Sequence, residues 1–279
     1  MIQGNSKATQ LDVQIDQLTA RISAHKLPFH EVDVTDLKIV GPQVVVTEGD
    51  LRSEPSASEE NSSPPLWTYL IEATELTQGT FTYIRQHQNK NAPIHVSGIQ
   101  GAMDAIGDAI SGIKDYRTEI THAKVTGQLE KSGNFVLNIA TPLYTEPLHV
   151  DIDLRITDQN LSDLNPYFQT DDGITLTGSL RSGRSVTLIQ ARKLKASVQA
   201  NYSELNVQFK KTDERSAIET VLSNVVKSIK LNSSSAGKKP IEQTADVELP
   251  REPQEALMHF IFRGMRDAAL KVAASSSHK

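Results

Sequence analysis

Residues 150–156 read VDIDLRI, and the alternation of Val150, Ile152, Leu154 and Ile156 with Asp151, Asp153 and Arg155 decides the fold class. Successive side chains of an extended strand point to opposite faces, so a period of two means one buried face and one wet face. The same period appears upstream in Phe135, Leu137 and Ile139 and downstream in Leu194, Ala196, Val198 and Ala200. It is also present near the start, in Leu11, Val13 and Ile15. The chain is therefore expected to be mainly β, with helices only at the periphery.

Working outward, the first part of the chain predicts strands at Leu11–Ile15, Leu18–Ile22, Val32–Ile39 and Val44–Thr47, with Gly41-Pro42 breaking the third from the fourth. Residues 1–51 form an N-terminal β repeat unit on this reading. RSEPSASEENSSPP, residues 52–65, is acidic, Ser-rich and Pro-terminated, the composition of a disordered surface loop. Residues 66–279 make the main body, with a strand expected over Leu76–Ile84 and a closing succession of strand, helix, strand, helix. Three helices are expected. Ile99, Met103, Ile106, Ile110 and Ile113 recur at spacings of four and three and predict one near residues 98–115, either packed on the sheet or serving as a lid or partner stripe. A second, near 213–230, opens at Thr212 or Asp213, both good N-caps, and buries Ile218, Val221, Leu222, Val225, Val226 and Ile229. The third, near 253–273, follows Pro253 and aligns Leu257, Phe260, Ile261, Gly264, Ala268 and Val272. Its Arg263, Arg266 and Lys271 fit a docked terminal helix with a solvated basic face or a membrane-surface helix.

Two stretches resemble each other. Residues 120–139, ITHAKVTGQLEKSGNFVLNI, and residues 173–188, GITLTGSLRSGRSVTL, both run strand, Thr-Gly-x-Leu, a polar turn with glycine, then a further apolar strand. Glycine inside a strand permits a bulge or bend, so a recurring Thr-Gly-x-Leu curls a long antiparallel sheet into a groove. The plainer alternative is two ordinary hairpins with glycine turns.

The composition excludes several classes of function. With no cysteine there is no disulfide, thiolate metal site or thiol nucleophile. A net charge of −5 and 5% aromatic residues leave neither a basic footprint nor stacking platforms, so nucleic acid is not an expected partner. GSLRSGRS, residues 178–185, comes close to a phosphate-binding loop, but SVTLIQ follows it and predicts a strand where that loop needs a helix N-terminus. Gly98, Gly101 and Gly107 make no dinucleotide fingerprint, His25, His30, His122 and His259 have no ligand spacing, and no serine lies in a nucleophile elbow. Asp151 and Asp153 share a strand face and invite an acid/base or cation reading, but their alternation with Val150, Ile152 and Leu154 points them to solvent. No catalytic residue, metal ligand or cofactor site is expected, and the chain is read as non-enzymatic. MIQGNSKATQLDVQID carries neither a signal peptide nor an apolar run of membrane-spanning length.

LRITDQNLSDLNPYFQTDDGITLTGSL, residues 154–180, resembles the segment of AsmA-like envelope proteins in which a strand leads through an Asn-Pro-Tyr turn into a Gly-x-x-Leu-x-Gly strand. Tyr202–Val207, Leu222-Ser223-Asn224, Arg251-Glu252-Pro253 and Phe260–Met265 are similar to the closing elements of that group. Residues 8–46 are similar to its N-terminal strand unit. The resemblance implies a curled β-groove protein of the bacterial cell envelope, periplasmic or inner-membrane-associated and related to bridge-like lipid-transfer proteins and outer-membrane biogenesis. Its implied partners are a phospholipid or other acyl lipid and an envelope or membrane protein. A groove of this kind needs no directional contacts, since each buried methylene contributes about 0.8 kcal/mol. Ile152, Leu154, Ile156, Leu176 and Val198 are the expected groove residues. The alternative is a structural or partner-scaffolding envelope protein whose apolar face is simply core.

Overall fold

The computed structural model describes residues 10–23, 31–48, 68–87, 90–107, 120–142, 149–171, 173–209, 241–251 and the helical residues 260, 261, 263, 264 and 267. These hold one open, twelve-stranded mixed sheet. In chain order the strands are β1 (Gln10–Gln14), β2 (Gln17–Ile22), β3 (Glu31–Val40), β4 (Gln43–Glu48), β5 (Thr68–His87) and β6 (Lys90–Gly107), followed by β7 (Ile120–Leu129) and β8 (Gly133–Pro142). The last four are β9 (His149–Asn160), β10 (Ile174–Gln190), β11 (Lys193–Phe209) and β12 (Ile241–Pro250). From β5 to β12 every neighbour pair is antiparallel. The expectation of an antiparallel sheet fails on one edge of β5. There β3 runs parallel to its first half and β4 parallel to its second, while β2 and β1 pair antiparallel outside them.

The four N-terminal strands match their expected positions, and the break at Gly41-Pro42 has a clear purpose. The Gly41 N–H donates to the Thr77 carbonyl at 2.9 Å and the Thr80 N–H to the Pro42 carbonyl at 2.8 Å, so β3 and β4 meet β5 on either side of Gln78. That level continues across the sheet. Positive φ at Gly41, Gln78, Gly98, Glu130, Asp158, Gly178 and Glu204 marks the β3–β4 joint, β5, β6, the β7–β8 turn, β9, β10 and β11 in turn. Register shifts accompany it between Leu76 and Gly79, between Ser97 and Gln100, between Thr177 and Ser179 and between Leu180 and Ser182.

Two expectations are corrected here. The stretch 98–107 belongs to β6 and not to a helix; residues 108–115 lie outside the described residues. The misreading has a physical cause. Ile99 and Met103 lie two strand periods apart, whereas Ile106 pairs with Ile71 in the same unbroken register as Met103 with Thr74 and so lies on the other face. Residues 173–188 are likewise no hairpin, because Ile174–Gln190 is a single strand with Gly178 at a bulge and Gly183 in regular register between Ile156 and Ala200. The 120–139 stretch does form a hairpin, β7 and β8 around a turn at 130–132. The loop at 52–65 and the helix near 213–230 lie outside the described residues. Within the 253–273 helix, the five described residues are helical.

One short helix, α1 (Asn165–Asp171), was legible only as an Asn-Pro-Tyr turn. Pro166 sits in its first turn, where a missing N–H costs nothing. A four-residue 3-10 turn, Leu161–Leu164, leads into it, with the Asn160 side chain accepting from the Ser162 N–H. α1 touches β5, β6 and β10, reaching past the shorter β7–β8 hairpin that lies between them. Asn165 fastens it to β10, its carboxamide accepting from the Leu176 N–H at 2.7 Å and donating to the Leu176 carbonyl at 2.9 Å.

Among the described residues the core comprises three clusters. Ile152, Ile189, Leu194, Ala196, Val198 and Val247 pack with Phe260 of the C-terminal helical residues. Tyr83, Ala92 and Ile94 pack with Tyr167 of α1. Ile174 and Leu176 pack with Leu161, Phe168 and Leu205.

Gly178 tests how rigid the line of irregularity is. Its φ of +99° disfavours any side chain, and a Cβ there would run into the Glu204 carbonyl. Gly98, at φ +59°, has open space around its missing Cβ. Gly178→Ala is expected to lower unfolding free energy by about 1–3 kcal/mol, more than Gly98→Ala does, in chemical denaturation. Equal losses would show that β10 and β11 relax around the added methyl.

Candidate functional site

Residues directly opposite each other in adjacent strands share a face, so the registers trace the apolar face across the sheet. One rung runs Leu18, Ile39, Leu76, Gly101, Val125, Leu137, Leu154, Ser185 and Val198 from β2 to β11. The next runs Ala20, Leu37, Thr74, Met103, Ala123, Ile139, Ile152, Thr187, Ala196 and Val247 from β2 to β12. Neither rung contains an ionisable side chain. At a strand spacing of about 4.8 Å, such a rung is a path of roughly 40 Å.

The five expected groove residues divide between two places on this face. Ile152, Leu154 and Ile156 lie along β9, and Val198 reaches Leu154 through Ser185, so these four form one patch. Leu176 lies beyond the bulges of β10, under α1 with Leu161 and Phe168. Ile152, Leu176 and Val198 are core residues at 7%, 9% and 8% exposure, whereas Leu154 and Ile156 are half-buried. Phe260 covers the Leu194 end of the patch with no exposed surface of its own. Gly264 follows where a Cβ would strike the Leu194 side chain, so glycine there permits close approach of this segment to β11. The Arg263 guanidinium donates to the Pro250 carbonyl at 2.9 Å and lies 5.7 Å from the Phe260 ring centre, which seats these residues on the sheet. Along the middle strands, Met103, Val125, Leu137 and Ile139 are half-buried, with Leu137 packing against the cluster around Ile152. Sequence reasoning missed these four as site candidates, although Leu137 and Ile139 stood in an alternation it recognised.

α1 closes the face at the level of the β7–β8 turn. Tyr167 packs on Tyr83, ring centres 6.3 Å apart, and edge-on against Phe168 at 5.5 Å. Tyr83 is fully buried and donates to Glu48 at 2.6 Å. Burial first, and then this hydrogen bond, hold its hydroxyl far above the ordinary tyrosine range, so it stays a neutral donor. Ser132 in the turn donates to Asp163 at 2.7 Å and accepts from the Asn160 N–H at 2.9 Å and Gln159 at 3.2 Å, locking the turn to the entry of α1.

The opposite face is polar. A concavity of about 1060 Å³ lies on it, lined by Lys38, Glu75, Lys124, Asn138 and Asp153 among others. Several of its polar side chains face one another: Lys38 pairs with Glu75 at 3.4 Å and Asp153 with Arg184 at 2.9 Å, and the His122 ring lies 3.2 Å from the Asp104 carboxylate. Asp151 and Asp153 therefore do not form an acid/base pair, since Asp151 faces His149 at 3.5 Å while Asp153 accepts from Arg184 and Arg155. Arg184, the residue in the lysine position of the phosphate-loop look-alike, is a strand residue engaged with a carboxylate. Among the described residues there is no group of three or more His, Asp or Glu side chains that would hold a metal, and no helix long and apolar enough to cross a membrane.

No protein-family model, curated protein or solved structure matches this chain.

The Asp153 pairing has a measurable signature. The Arg184 hydrogen bond, ahead of that from Arg155, holds the Asp153 carboxyl below the ordinary aspartate value. A carboxyl depressed on folding contributes stability that is full above its unfolded pKa of about 3.9 and is lost as pH falls through the folded value. Arg184→Gln is expected to raise the Asp153 pKa, read by NMR titration of its carboxyl carbon, and to weaken the acid-side slope of stability. An unmoved titration would show that Arg155 alone sustains the depression.

Proposed function

We propose that this chain is a non-enzymatic protein of the bacterial cell envelope that holds or conducts an acyl lipid along the apolar face of its sheet. The observation that carries the reading is the pair of charge-free rungs crossing ten or so strands without a break. A hydrocarbon chain lying along them exchanges water contacts for Leu, Ile, Val and Met contacts at about 0.8 kcal/mol per methylene and needs no polar partner. The line of bulges supports a curled shape for the sheet, because each bulge bends its strand and the register shifts in β5, β6, β10 and β11 share one level. α1, seated on β5, β6 and β10 at once, fits the closed end of such a trough. The half-buried strip of Met103, Val125, Leu137, Ile139, Leu154 and Ile156 is the path assigned to the lipid. The envelope location in this proposal rests on the sequence resemblance to AsmA-like proteins alone.

A second reading, a structural or partner-scaffolding envelope protein, is favoured by the burial of Ile152, Leu176 and Val198 in core clusters. It also draws support from the large concavity, which lies on the polar face and not over the rungs. The two readings differ in what the purified chain carries.

Native mass spectrometry of the purified chain, with extraction of bound lipid, separates them. The expected result is a retained phospholipid or other acyl lipid, with affinity reduced at least tenfold in a Leu154→Asp, Ile156→Asp variant whose circular dichroism still shows a folded sheet. A clean apo mass in detergent and with added lipid would overturn the lipid reading in favour of the scaffold.

A further inference from the structure

We propose that the outer edge formed by β1 and β2 is a self-association site, at which a second copy of this chain pairs antiparallel in a register that sets Gln10 against Ser23. Among the described residues nothing pairs with the outer side of either strand. Every residue of both strands is exposed, and Leu11, Val13, Ile15, Leu18 and Ile22 are between 43% and 64% exposed. An open edge with apolar side chains is a template for another strand, and proteins that keep such an edge unpaired protect it with lysine, proline or inward charges. β1 and β2 contain no lysine and no proline.

The occupant is identified by self-complementarity. In the stated register Leu11 meets Ile22, Val13 meets Ala20 and Ile15 meets Leu18, while Gln14 meets Thr19 and the single basic residue, Arg21, meets Asp12. A two-fold axis between Asp16 and Gln17 repeats each pair. A slip of one residue sets Arg21 against Leu11 or Val13 and breaks every apolar match. The parity change between β1 and β2 lets the match span both strands, because Leu11, Val13, Leu18 and Ala20 all reach the apolar face through their partners in β4 and β3. The other open edge, β12, carries Glu242, Asp246 and Glu248 and no basic residue, so it offers Asp12 and Asp16 nothing. A two-fold axis in an antiparallel pair of strands stands normal to the sheet, so the apolar faces of the two copies lie on the same side and continue into each other.

This inference does not depend on lipid binding, since its readout is the state of association. Sedimentation velocity on the full chain over a wide concentration range is expected to show a reversible dimer. Arg21→Asp should raise the dissociation constant on the order of tenfold, because two attractive pairs become repulsive. The reciprocal Asp12→Arg, Arg21→Asp variant should restore it. The chain has no cysteine, so a Gln14→Cys, Thr19→Cys variant should oxidise to a covalent dimer through the stated register. A chain that stays monomeric throughout, a dimer indifferent to Arg21→Asp, or open-ended growth beyond a dimer would each overturn the proposal.

Discussion

The constraint on which this sheet depends is parity. A one-residue slip in a single strand would turn its apolar side chains to the wet face, and no apolar rung could then pass through it. The bulges are therefore arranged in compensating sets. β5 carries an extra residue near Gln78, and β6 carries one near Gly98 just beyond it, so the register before Leu76 and after Phe81 is the same. β11 carries an extra residue at Glu204, and β10 answers between Leu180 and Ser182. β9 and β10 hold one register throughout, because the positive φ of Asp158 on β9 lies at the level of the irregularity in β10. Each irregularity is tolerable only because its neighbours share it.

The same constraint explains why β7 and β8 are short. A hairpin that ends at the line, at the 130–132 turn, needs no bulge to cross it, and Gly133 leaves room for the Gln159 side chain that a Cβ would displace. The space beyond the turn is taken by α1, whose Tyr167 and Phe168 bridge the cluster around Tyr83 to the cluster around Leu176. Ser132, Gln159, Asn160 and Asp163 then satisfy the turn's polar groups at the point where sheet gives way to helix. Most of the polar groups of this knot are partners to one another, while the buried Gln159 Oε1 has no hydrogen-bond partner among the described residues.

Strand-level structure was legible because period two survives in short, regular segments: VDIDLRI, FVLNI and the N-terminal strands all lie where their alternation places them. What was not legible lies where local spacing misleads. Intervals of four and three gave β6 the look of a helix over Ile99, Met103 and Ile106, although Met103 and Ile106 sit on opposite faces of one unbroken strand register. Gly178 at a bulge and Gly183 in a regular stretch of β10 have the same local signature as glycines that serve a turn, and GSLRSGRS reads either way until pairing with β9 and β11 is known. α1 is too short to display a period, and Asn165-Pro166 announces a turn as readily as a first helical turn. The apolar site was half legible. Alternation placed Ile152, Leu154 and Ile156 on the right face, but only the long-range register brings Met103 and Val125 into line with them.

The two faces then divide the chemistry. On the polar face, charges of both signs are interleaved and paired at 2.9–3.4 Å across neighbouring strands, as Lys38–Glu75 and Asp153–Arg184 show. Exposed pairs of this kind contribute little to stability, because water screens them and ordering two side chains costs entropy. Their greater effect is to discourage misregister, since a slip would set like charges or apolar groups opposite them. On the apolar face no charge interrupts the path from the exposed Leu18 at one edge to Val198, near the other. A sheet built only to fold would need that continuity no further than its core clusters extend. Here it passes through the half-buried middle strands and reaches an exposed edge. The part of the apolar face that exceeds the needs of the core is the part with which a lipid or a second copy would engage.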